Sequence, residues 1–509
     1  MRVWLVMGLL WSVSVWAGAA AAVDWRQAAL DAARGGMQNP GTAGDPASRE
    51  RRAAWSMTGR LYVAGRLVAH EAAIGPTLKA TAARVGARIA ASAPAESVRA
   101  GRLFLTVESH RTNGALVEFE GRALAVVGDV TVVESVDRDR ILATVRAQRE
   151  YLLRQIDPTR HGFFKVYSAR QDRRQERLRV TYTASGLWTL LQLRDLEPDP
   201  RIDALIEPVA GFLLSMQVAE GEHAGAFYYS VDPKTDSKRE RYVVGTVAKT
   251  IFTLVELHRR TQEPRYLEAA RRAGDWLLTR VRPDGQVIPV TARSLSSGEW
   301  TTIARQSVLY SAEALSALSQ LARVTGERTY RRAATRIADR LIAQGEANGY
   351  VYGDDFRAPN TISTSWVAMA LLDYTRVVRD RRAERTLFTV AHQVQSRQMD
   401  VKHDLLEHGR YFDTWSTSGN GWMNEVLVPV YERCIATRQP RCEVFRANLD
   451  RSARWLIQNT YSAENAFHIP NPTRALGGSI RNARVEQIRT DAVCHVANSL
   501  IGMLRLPAR

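Results

Sequence analysis

Two kinds of helical segment alternate along the chain from about residue 138 onward. One kind is amphipathic and rich in Arg and Glu, and the other is apolar or small on nearly every side. An amphipathic helix keeps one face in solvent, whereas a helix that is apolar all round must be buried on all sides. The alternation therefore predicts an inner ring of helices wrapped by an outer ring. The amphipathic segments are 138–156, 201–219, 264–281, 328–344, 382–395 and 442–458, and the apolar segments are 181–193, 243–258, 305–322, 364–377, 420–431 and 491–504.

The apolar segments begin roughly every 60 residues, with a longer last interval, so the repeat is structural rather than exact in sequence. A glycine stands between each outer segment and the next inner one, followed in most repeats by large or β-branched residues. Glycine fits a tight turn, and the residues after it fit a short strand. These glycines are Gly162, Gly225, Gly285, Gly349, Gly409 and the pair Gly477-Gly478.

This pattern resembles the six-hairpin toroid superfamily, which includes glycoside hydrolases, polysaccharide lyases and sugar epimerases. The resemblance covers about residues 138–509 and implies a mainly α fold, an (α/α)6 toroid of six inner and six outer helices. It also implies a carbohydrate-active protein. No catalytic residue is carried over from it, because such toroids host many reactions as well as non-catalytic members.

The residues before the toroid have a different pattern. Arg2, the apolar run 3–16 and small residues at 20–22 are typical of a signal peptide, so 1–22 is predicted to be cleaved and the protein exported. An uncleaved N-terminal anchor is the alternative. Residues 23–135 combine strand-like stretches with one helical stretch, which predicts a small α+β module with a flexible start. The strand-like stretches are 60–69, 103–109 and 115–132, the helical one is 82–92, and the toroid follows at 136–509.

The chain is strongly basic, with 70 Lys and Arg against 53 Asp and Glu and a net charge of +17. In an exported protein this charge balance favours an anionic polysaccharide or a membrane surface as the partner, and it argues against nucleic acid. An Arg-rich solvated surface without a partner is the alternative. No later apolar run reaches the ~20 residues that a membrane-spanning helix needs, so no stable membrane insertion is expected.

The three cysteines have two predicted roles. Cys434 and Cys442 flank a short connection, which predicts a local disulfide in an oxidising compartment. Cys494 lies in an apolar helical pattern and is predicted to be a buried free thiol. The sequence has neither the Cys and His spacing of a metal site nor a Gly-rich phosphate loop after a strand, so no metal and no cofactor is predicted.

The two rims of the predicted ring carry connections of unequal length. Those from inner to outer helices are short, whereas those from outer to inner helices run to about 20–30 residues, and long ordered loops are disproportionately functional. The long loops surround the N-terminal ends of the inner helices, whose free N–H groups favour an anionic ligand. The basic stretches 171–179 and 234–241 lie in these loops. We therefore expect the functional site on that rim.

Carboxylates and aromatic residues are concentrated in the fourth and fifth long loops and the helix that follows. Sugar-processing sites combine the two, because carboxylates move protons and aromatic rings stack on sugar faces. A turn role for the Asp pair and a helix-dipole role for Glu425, placed in the first turn of its inner helix, are the structural alternatives. The candidate catalytic residues are Asp354, Asp355, His408, Tyr411, Asp413 and Glu425, and the candidate substrate-binding residues are Tyr352, Trp415, Trp422 and Asn424.

The last inner segment offers a second candidate. Asp491 and His495 are four residues apart and share one helical face, so the Asp could orient the imidazole as an acid–base pair. The alternative is a helix cap and a core histidine. Lys249 and Glu313, on other inner segments, either line the central cavity or pair inside the ring. Further candidate substrate-binding residues are Arg305, Tyr310 and Arg489.

Two reaction classes stay open at this point. Two carboxylates across a cleft would support glycoside hydrolysis, whereas Tyr and His beside Arg and Asn would suit proton abstraction next to a sugar carboxylate, as in uronate lyases and epimerases. Either reaction predicts an enzyme acting on an envelope or extracellular polysaccharide. The alternative is a non-catalytic toroid that binds a glycan or a partner protein in envelope assembly. A cyclase-like toroid ranks last, because the chain lacks the Asp-rich runs of such enzymes.

Overall fold

The computed structural model describes residues 25–40, 55–109, 123–128, 130–402, 404–481 and 486–507. The predicted signal peptide lies outside these residues, as does most of the stretch predicted to be flexible. The chain forms two compact units. Unit 1 comprises Met1–Thr131 and Ala463–Pro470, and unit 2 comprises Val132–Ser462 and Asn471–Arg509.

Unit 1 is an α+β module built on one antiparallel sheet in the strand order β2-β1-β3-β4. The predicted strand 60–69 is instead a hairpin that turns at Ala64-Gly65, where both residues have positive φ. The apolar residues of the two longer helices and of one sheet face form a common core, which includes Leu61, Val85 and Leu105. The elements are α1 (Trp25–Gln38), β1 (Trp55–Val63), β2 (Arg66–Gly75), α2 (Leu78–Ser92), α3 (Ala95–Ala100), β3 (Arg102–Ser109) and β4 (Ala123–Gly128).

The segment Ala463–Pro470 belongs to unit 1 although it lies far along the chain. The Phe467 ring lies edge-on to Tyr62, with centroids 6.1 Å apart, and 6.4 Å from Phe104. His468 stacks on Phe104 at 4.2 Å. Offset and edge-on ring pairs of this kind stabilise a small core, so this segment completes the unit.

Unit 2 confirms the predicted (α/α)6 toroid. Within its described residues, each inner helix contacts the next around the ring, and the last contacts the first, which closes it. The inner helices are α5 (Val180–Leu196), α7 (Val244–Thr261), α9 (Val308–Thr325), α11 (Thr361–Thr375), α13 (Thr417–Ala436) and α16 (Thr490–Arg505). The outer helices are α4 (Arg138–Leu153), α6 (Pro200–Ser215), α8 (Pro264–Leu278), α10 (Arg328–Asn348), α12 (Arg381–Gln395) and α14 (Cys442–Gln458), and a short α15 (Pro472–Ala475) lies in the sixth long loop.

Four of the repeated glycines, Gly225, Gly285, Gly409 and Gly477, bring their long loops against the backbone of a neighbouring outer helix. Gly225 has φ of +87°, and a Cβ atom there would lie 2.0 Å from the carbonyl oxygen of Arg272 in α8. Gly409, with φ of +98°, approaches Arg451 in α14 in the same way, at 2.1 Å. A side chain is excluded at both positions by the conformation and by the backbone contact. The repeat therefore marks where the loop crosses the neighbouring hairpin.

Short strands border the rim where the inner helices begin. Three small sheets pair in the orders β11-β10-β9, β12-β5-β6 and β7-β8. Because β12 pairs with β5, the last long loop is tied to the first. The strands are β5 (Val166–Ser168), β6 (Arg173–Arg174), β7 (Leu178–Arg179), β8 (Ser230–Val231), β9 (Arg241–Val243), β10 (Val290–Arg293), β11 (Trp300–Ile303) and β12 (Gln487–Arg489).

The predicted disulfide is present. Cys434 and Cys442 are bonded, with Cα atoms 5.8 Å apart, across the connection between α13 and α14. Cys494 is a buried free thiol, as predicted. Among the described residues, no helix is long and apolar enough to cross a bilayer.

Candidate functional site

The Asp pair of the fourth loop anchors a helix start. Asp354 accepts a hydrogen bond from the backbone N–H of Val308 at 2.7 Å, and Asp355 accepts one from Gln306 at 2.7 Å. Both contacts are at the beginning of α9. The turn alternative thus describes what these carboxylates do in this structure. Arg305 lies beside them, with its guanidinium 4.6 Å from the ring of Phe356.

The fifth loop is also held by its own polar groups. Asp413 accepts hydrogen bonds from the backbone and the hydroxyl of Thr361, at the start of α11. Tyr411 is buried and donates to Asn448 Oδ1 at 2.9 Å, and burial raises the pKa of Tyr411. His408 is buried as well, and this burial lowers the pKa of His408. These side chains organise the loop and do not line the cavity of the ring.

The predicted sugar-binding residues are divided in the same way. Tyr352 is 1 % exposed and donates to the Leu341 carbonyl at 2.9 Å. Asn424 is fully buried, with its Nδ2 3.5 Å from Met503 Sδ. Trp415 is exposed on the surface, where Arg410 lies 4.0 Å over its ring. Of the predicted aromatic residues, Trp422 lines the cavity.

A carboxylate–imidazole pair lies at the centre of the ring. Glu425 Oε2 is 2.6 Å from His495 Nδ1, and Glu425 Oε1 accepts from Asn498 Nδ2 at 2.9 Å. A carboxylate can only accept, so His495 Nδ1 carries the proton and its Nε2 is the basic nitrogen. Within the described part of the chain, Nε2 has no hydrogen-bond partner, and His495 lines the cavity.

The position of Glu425 corrects the sequence prediction. Helix α13 begins at Thr417, so Glu425 lies in its third turn and not in the first, and the helix-dipole alternative is wrong. The segment predicted from the sequence begins at residue 420, whereas the helix also includes Thr417, Ser418 and Gly419. α13 packs closely on its neighbour, with a Cβ at Gly421 only 2.9 Å from the backbone nitrogen of Val496.

Asp491 has a different partner from the one predicted. It forms a two-point ion pair with Arg489, with Nε 2.9 Å from Oδ1, and accepts from Ser418 at 3.2 Å. Burial acts to raise the pKa of Asp491, but Arg489 and His495 outweigh it and the pKa is lowered. Arg489 also donates to the Tyr182 hydroxyl at 3.0 Å. The carboxylate that orients the imidazole is therefore Glu425.

Two stacked tryptophans and a lysine border the pair. Trp366 and Trp422 stack with centroids 3.7 Å apart and an angle of 20°. Trp422 also lies edge-on to His495 at 5.2 Å. Lys249 Nζ is 5.3 Å from the Trp366 centroid and, among the described residues, makes no hydrogen bond or ion pair. Trp366 was not predicted, although a large aromatic residue among the small residues of an inner helix was a detectable sign.

Glu313 is a second buried carboxyl of the ring. Burial raises the pKa of Glu313 to about 7, against the opposing charges of Lys249 and Arg357. Tyr310, one turn earlier, has a pKa of about 12, raised by burial and by Glu313. The alternative in which Lys249 and Glu313 form a direct ion pair is not observed. Lys249 lines the cavity, and Glu313 lies behind it against Gly245.

The cavity has a volume of about 380 Å³, within the ~300–1,000 Å³ of small-ligand sites. It extends from His495 and Glu425 toward the rim where the inner helices end. The sequence pattern instead predicts the site on the opposite rim, where the inner helices begin. Among the described residues, no group of His, Cys, Asp and Glu converges as metal ligands do. The charged residues that line the cavity between Lys249 and the rim where the inner helices end are Glu256, Arg259, Arg323, Asp373, Arg376, Glu432 and Arg505.

Comparisons with known proteins bear on the fold. No family model and no curated protein matches the chain. Among solved structures, a cellobiose 2-epimerase from Bacillus thermoamylovorans B4167 superposes with a TM-score of 0.54 at 13% identity, over 72% of this chain and 99% of that one. A family 76 glycoside hydrolase from a bovine Bacteroides thetaiotaomicron strain has a TM-score of 0.53 at 9% identity, over 90% and 94%.

An unsaturated glucuronyl hydrolase specific for heparin has a TM-score of 0.50 at 11% identity, over 72% of this chain and 96% of that one. The superpositions establish a common architecture, and sequence identities this low leave the reaction open. Unit 2 of the chain has the (α/α)6 toroid fold that these structures share.

Proposed function

We propose that the protein is a carbohydrate-active enzyme that transfers a proton on a sugar unit of a polysaccharide bound in the ring. The observation that carries this proposal is the Glu425–His495 pair on the cavity wall, with the basic Nε2 unpartnered. The sugar-acting names of the three structural neighbours are consistent with it. The net charge of +17 favours an anionic polysaccharide.

The pair has the arrangement of a positioned general base. Glu425 accepts the Nδ1 proton, which fixes the tautomer and leaves the Nε2 lone pair free to take a proton from the substrate. When the imidazole becomes charged, the carboxylate 2.6 Å away stabilises it. Asn498 holds the other oxygen of Glu425 and so fixes the plane of the carboxylate.

The surroundings of the pair suit proton abstraction better than hydrolysis. The stacked pair of Trp366 and Trp422 offers an aromatic face for a sugar ring. Removing a proton next to a carbonyl or carboxylate places negative charge on oxygen, and the unpaired ammonium of Lys249 can stabilise that charge.

Glycoside hydrolysis would need two available carboxyls across the bond. Both oxygens of Glu425 are engaged by His495 and Asn498, and Asp491 is paired with Arg489. These commitments favour lyase- or epimerase-type chemistry within the proposal.

The proposal places the protein in the periplasm or outside the cell. Its support is the signal-peptide pattern of residues 1–22 together with the Cys434–Cys442 disulfide, since such bonds persist in oxidising compartments. An envelope or extracellular polysaccharide would be the substrate available there.

The test is turnover by Glu425→Gln and His495→Asn on a panel of acidic and neutral polysaccharides. We expect each variant to lose about 10²–10⁴-fold in kcat, the usual contribution of a general base. Glu443→Gln, on the exposed face of the outer helix α14, is the matched control and should keep wild-type activity. Circular dichroism checks that helical content is unchanged.

The products distinguish the reaction classes. If the protein is an epimerase, the reaction in D2O should place deuterium on a sugar carbon. If it is a lyase, the product should carry an unsaturated end that absorbs ultraviolet light. New reducing ends with neither change would indicate hydrolysis. Wild-type turnover by both the Glu425 and His495 variants would refute the assignment, and binding without any product would favour a non-catalytic toroid.

A further inference from the structure

Three basic side chains without an acidic partner lie close together where the inner helices begin. We name these three residues the mouth cluster: Arg179 precedes α5, Arg241 precedes α7, and Lys165 precedes β5 of the β5–β12 strand pair. Within the described part of the chain, none of the three makes a salt bridge or a side-chain hydrogen bond. Many arginines of the toroid pair with carboxylates, whereas the side chains of the mouth cluster are partly buried and unpaired.

The two arginines of the mouth cluster lie over one aromatic ring. The guanidinium carbon of Arg179 is 4.5 Å from the Tyr229 centroid, and that of Arg241 is 5.3 Å from it. The Nε atoms of both arginines are buried and have no hydrogen-bond acceptor. Tyr229 fixes the guanidinium planes by cation–π contact. Their terminal N–H groups make no hydrogen bond within the described part of the chain.

Lys165 is held near like charges. Burial lowers the pKa of Lys165, and the charges of Arg179 and Arg489 lower it further. The acid whose charge acts on Lys165 is Asp491, which is already paired with Arg489. Lys165 Nζ also lies 5.9 Å from the Tyr182 ring, whose hydroxyl accepts from Arg489. Concentrating unpaired cations in a partly buried site costs free energy, which a bound anion would offset.

We propose that the mouth cluster is a subsite for an acidic group of the glycan, a carboxylate or a sulfate carried on a sugar. The proposal rests on the proposed function, since it names the substrate class of the same ring. Arginine suits both anions because its planar fork donates two parallel hydrogen bonds.

The subsite and the proposed base are linked through one chain of contacts. Tyr182 meets Arg489, Arg489 pairs with Asp491, and Asp491 is close enough to His495 for the two charges to interact. The mouth cluster lies at the rim where the inner helices begin, and the cavity extends from His495 toward the opposite rim, so a glycan chain bound at both would pass the proposed base.

The experiment measures binding by calorimetry, using a glucuronic acid tetrasaccharide, its methyl ester, and a sulfated neutral tetrasaccharide as probes. We expect the acid to bind at least tenfold more tightly than the ester. Arg179→Gln and Arg241→Gln should each weaken acid binding about tenfold, as for loss of a charge-assisted hydrogen bond, and leave ester binding unchanged. The sulfated probe shows which anion the subsite prefers.

Arg382→Gln is the matched control, because it removes one arginine charge at an outer helix where Arg382 already pairs with Glu346. It should bind all three probes like the wild type. Equal binding of acid and ester, no binding of either anionic probe, or wild-type affinity in both arginine variants would each overturn the subsite.

Binding and turnover are read separately. Arginine-dependent selectivity for the acid with no product from any glycan would refute the proposed function and leave the subsite in place. Turnover of neutral glycans without any preference for the acid would refute the subsite and leave the proposed function in place.

Discussion

Glu313 is a buried carboxyl whose raised pKa can be tested by a single substitution. It is 2 % exposed, and its Oε2 atom has no hydrogen-bond donor among the described residues. Burial of an unsatisfied carboxyl disfavours its charged form, which raises the pKa of Glu313 to about 7. The charges of Lys249 and Arg357 act in the opposite direction and do not remove the shift.

This shift makes stability depend on pH in a definite direction. In the unfolded chain a glutamic acid ionises near its usual pKa of ~4.3. Between this pH and about 7, the folded state therefore holds a proton that the unfolded state has lost. The stability that protonated Glu313 contributes to the folded state is therefore fully present below a pH of ~4.3, and it is lost as the pH rises through about 7. We expect Glu313→Gln to gain stability relative to the wild type above neutral pH, by on the order of 3 kcal/mol.

Chemical denaturation at pH 5 and pH 8 measures this effect. Glu268→Gln, an exposed change on the outer helix α8, is the control and should follow the wild type at both values. A difference between Glu313→Gln and the wild type that is the same at pH 5 and pH 8 would contradict the assigned pKa.

At the scale of elements, the ring depends on close contact between adjacent inner helices. Gly421 brings α13 against α16, where a Cβ would lie 2.9 Å from the backbone nitrogen of Val496 and 3.1 Å from the carbonyl carbon of His495. Backbone atoms cannot rotate away as a side chain can. A methyl group at this position must separate the two helices that carry Glu425 and His495.

We expect Gly421→Ala to lower the free energy of unfolding by about 1–3 kcal/mol, the usual cost of overpacking. Gly211→Ala is the matched control on the outer helix α6, where a Cβ meets nothing within 4 Å. It should gain about 0.5–1 kcal/mol, because alanine favours a helix over glycine. Urea denaturation of both variants gives the comparison. An increase in stability for Gly421→Ala would show that the helices are not in close contact.

Sequence pattern was sufficient for the elements of the toroid and insufficient for the site. Burial on all sides is a property of composition, so the inner helices could be recognised, and the glycine repeat could be assigned to turns. The position of a side chain across the ring depends on packing between distant segments. For that reason Asp491 was paired with His495, its neighbour on the helix, when the actual partner is Glu425 on α13.

The same limit explains the fifth loop. Tyr411, Asp413 and His408 were grouped because they are close in sequence and have the chemistry of a sugar site. In the structure Asp413 bonds to the start of α11 and Tyr411 bonds to Asn448 of α14. Residue type indicated which groups could do chemistry. Only tertiary contacts distinguish the groups that face the cavity from those that hold loops together.

At the scale of the whole molecule, unit 1 is assembled from two separated parts of the chain. The aromatic cluster of Tyr62, Phe104 and Phe467 joins the sheet of unit 1 to the segment Ala463–Pro470. Arg102 adds to it by lying 3.9 Å over the Phe467 ring. The sequence did not predict this association, because nothing local in the sixth long loop distinguishes the segment from its surroundings.

A shortened chain that begins at Val132 should therefore expose Phe467. We expect the shortened chain to bind a hydrophobic dye and to elute partly as oligomers, because the Phe467 side chain loses Tyr62 and Phe104 as partners. The same shortened chain carrying Phe467→Ser should bind less dye and elute as a monomer. A shortened chain that is monomeric and free of dye without this substitution would contradict the role given to Phe467.

The two-part composition of unit 1 also sets an order for its biosynthesis. The strands β1 and β3 are synthesised early, and Phe467 follows about 20–70 s later at about 5–20 residues per second. Until then the rings of Tyr62 and Phe104 lack their third partner. A nascent chain that stops before residue 463 cannot complete unit 1. A finished unit 1 is thus a mark that translation has passed nearly the whole of the toroid.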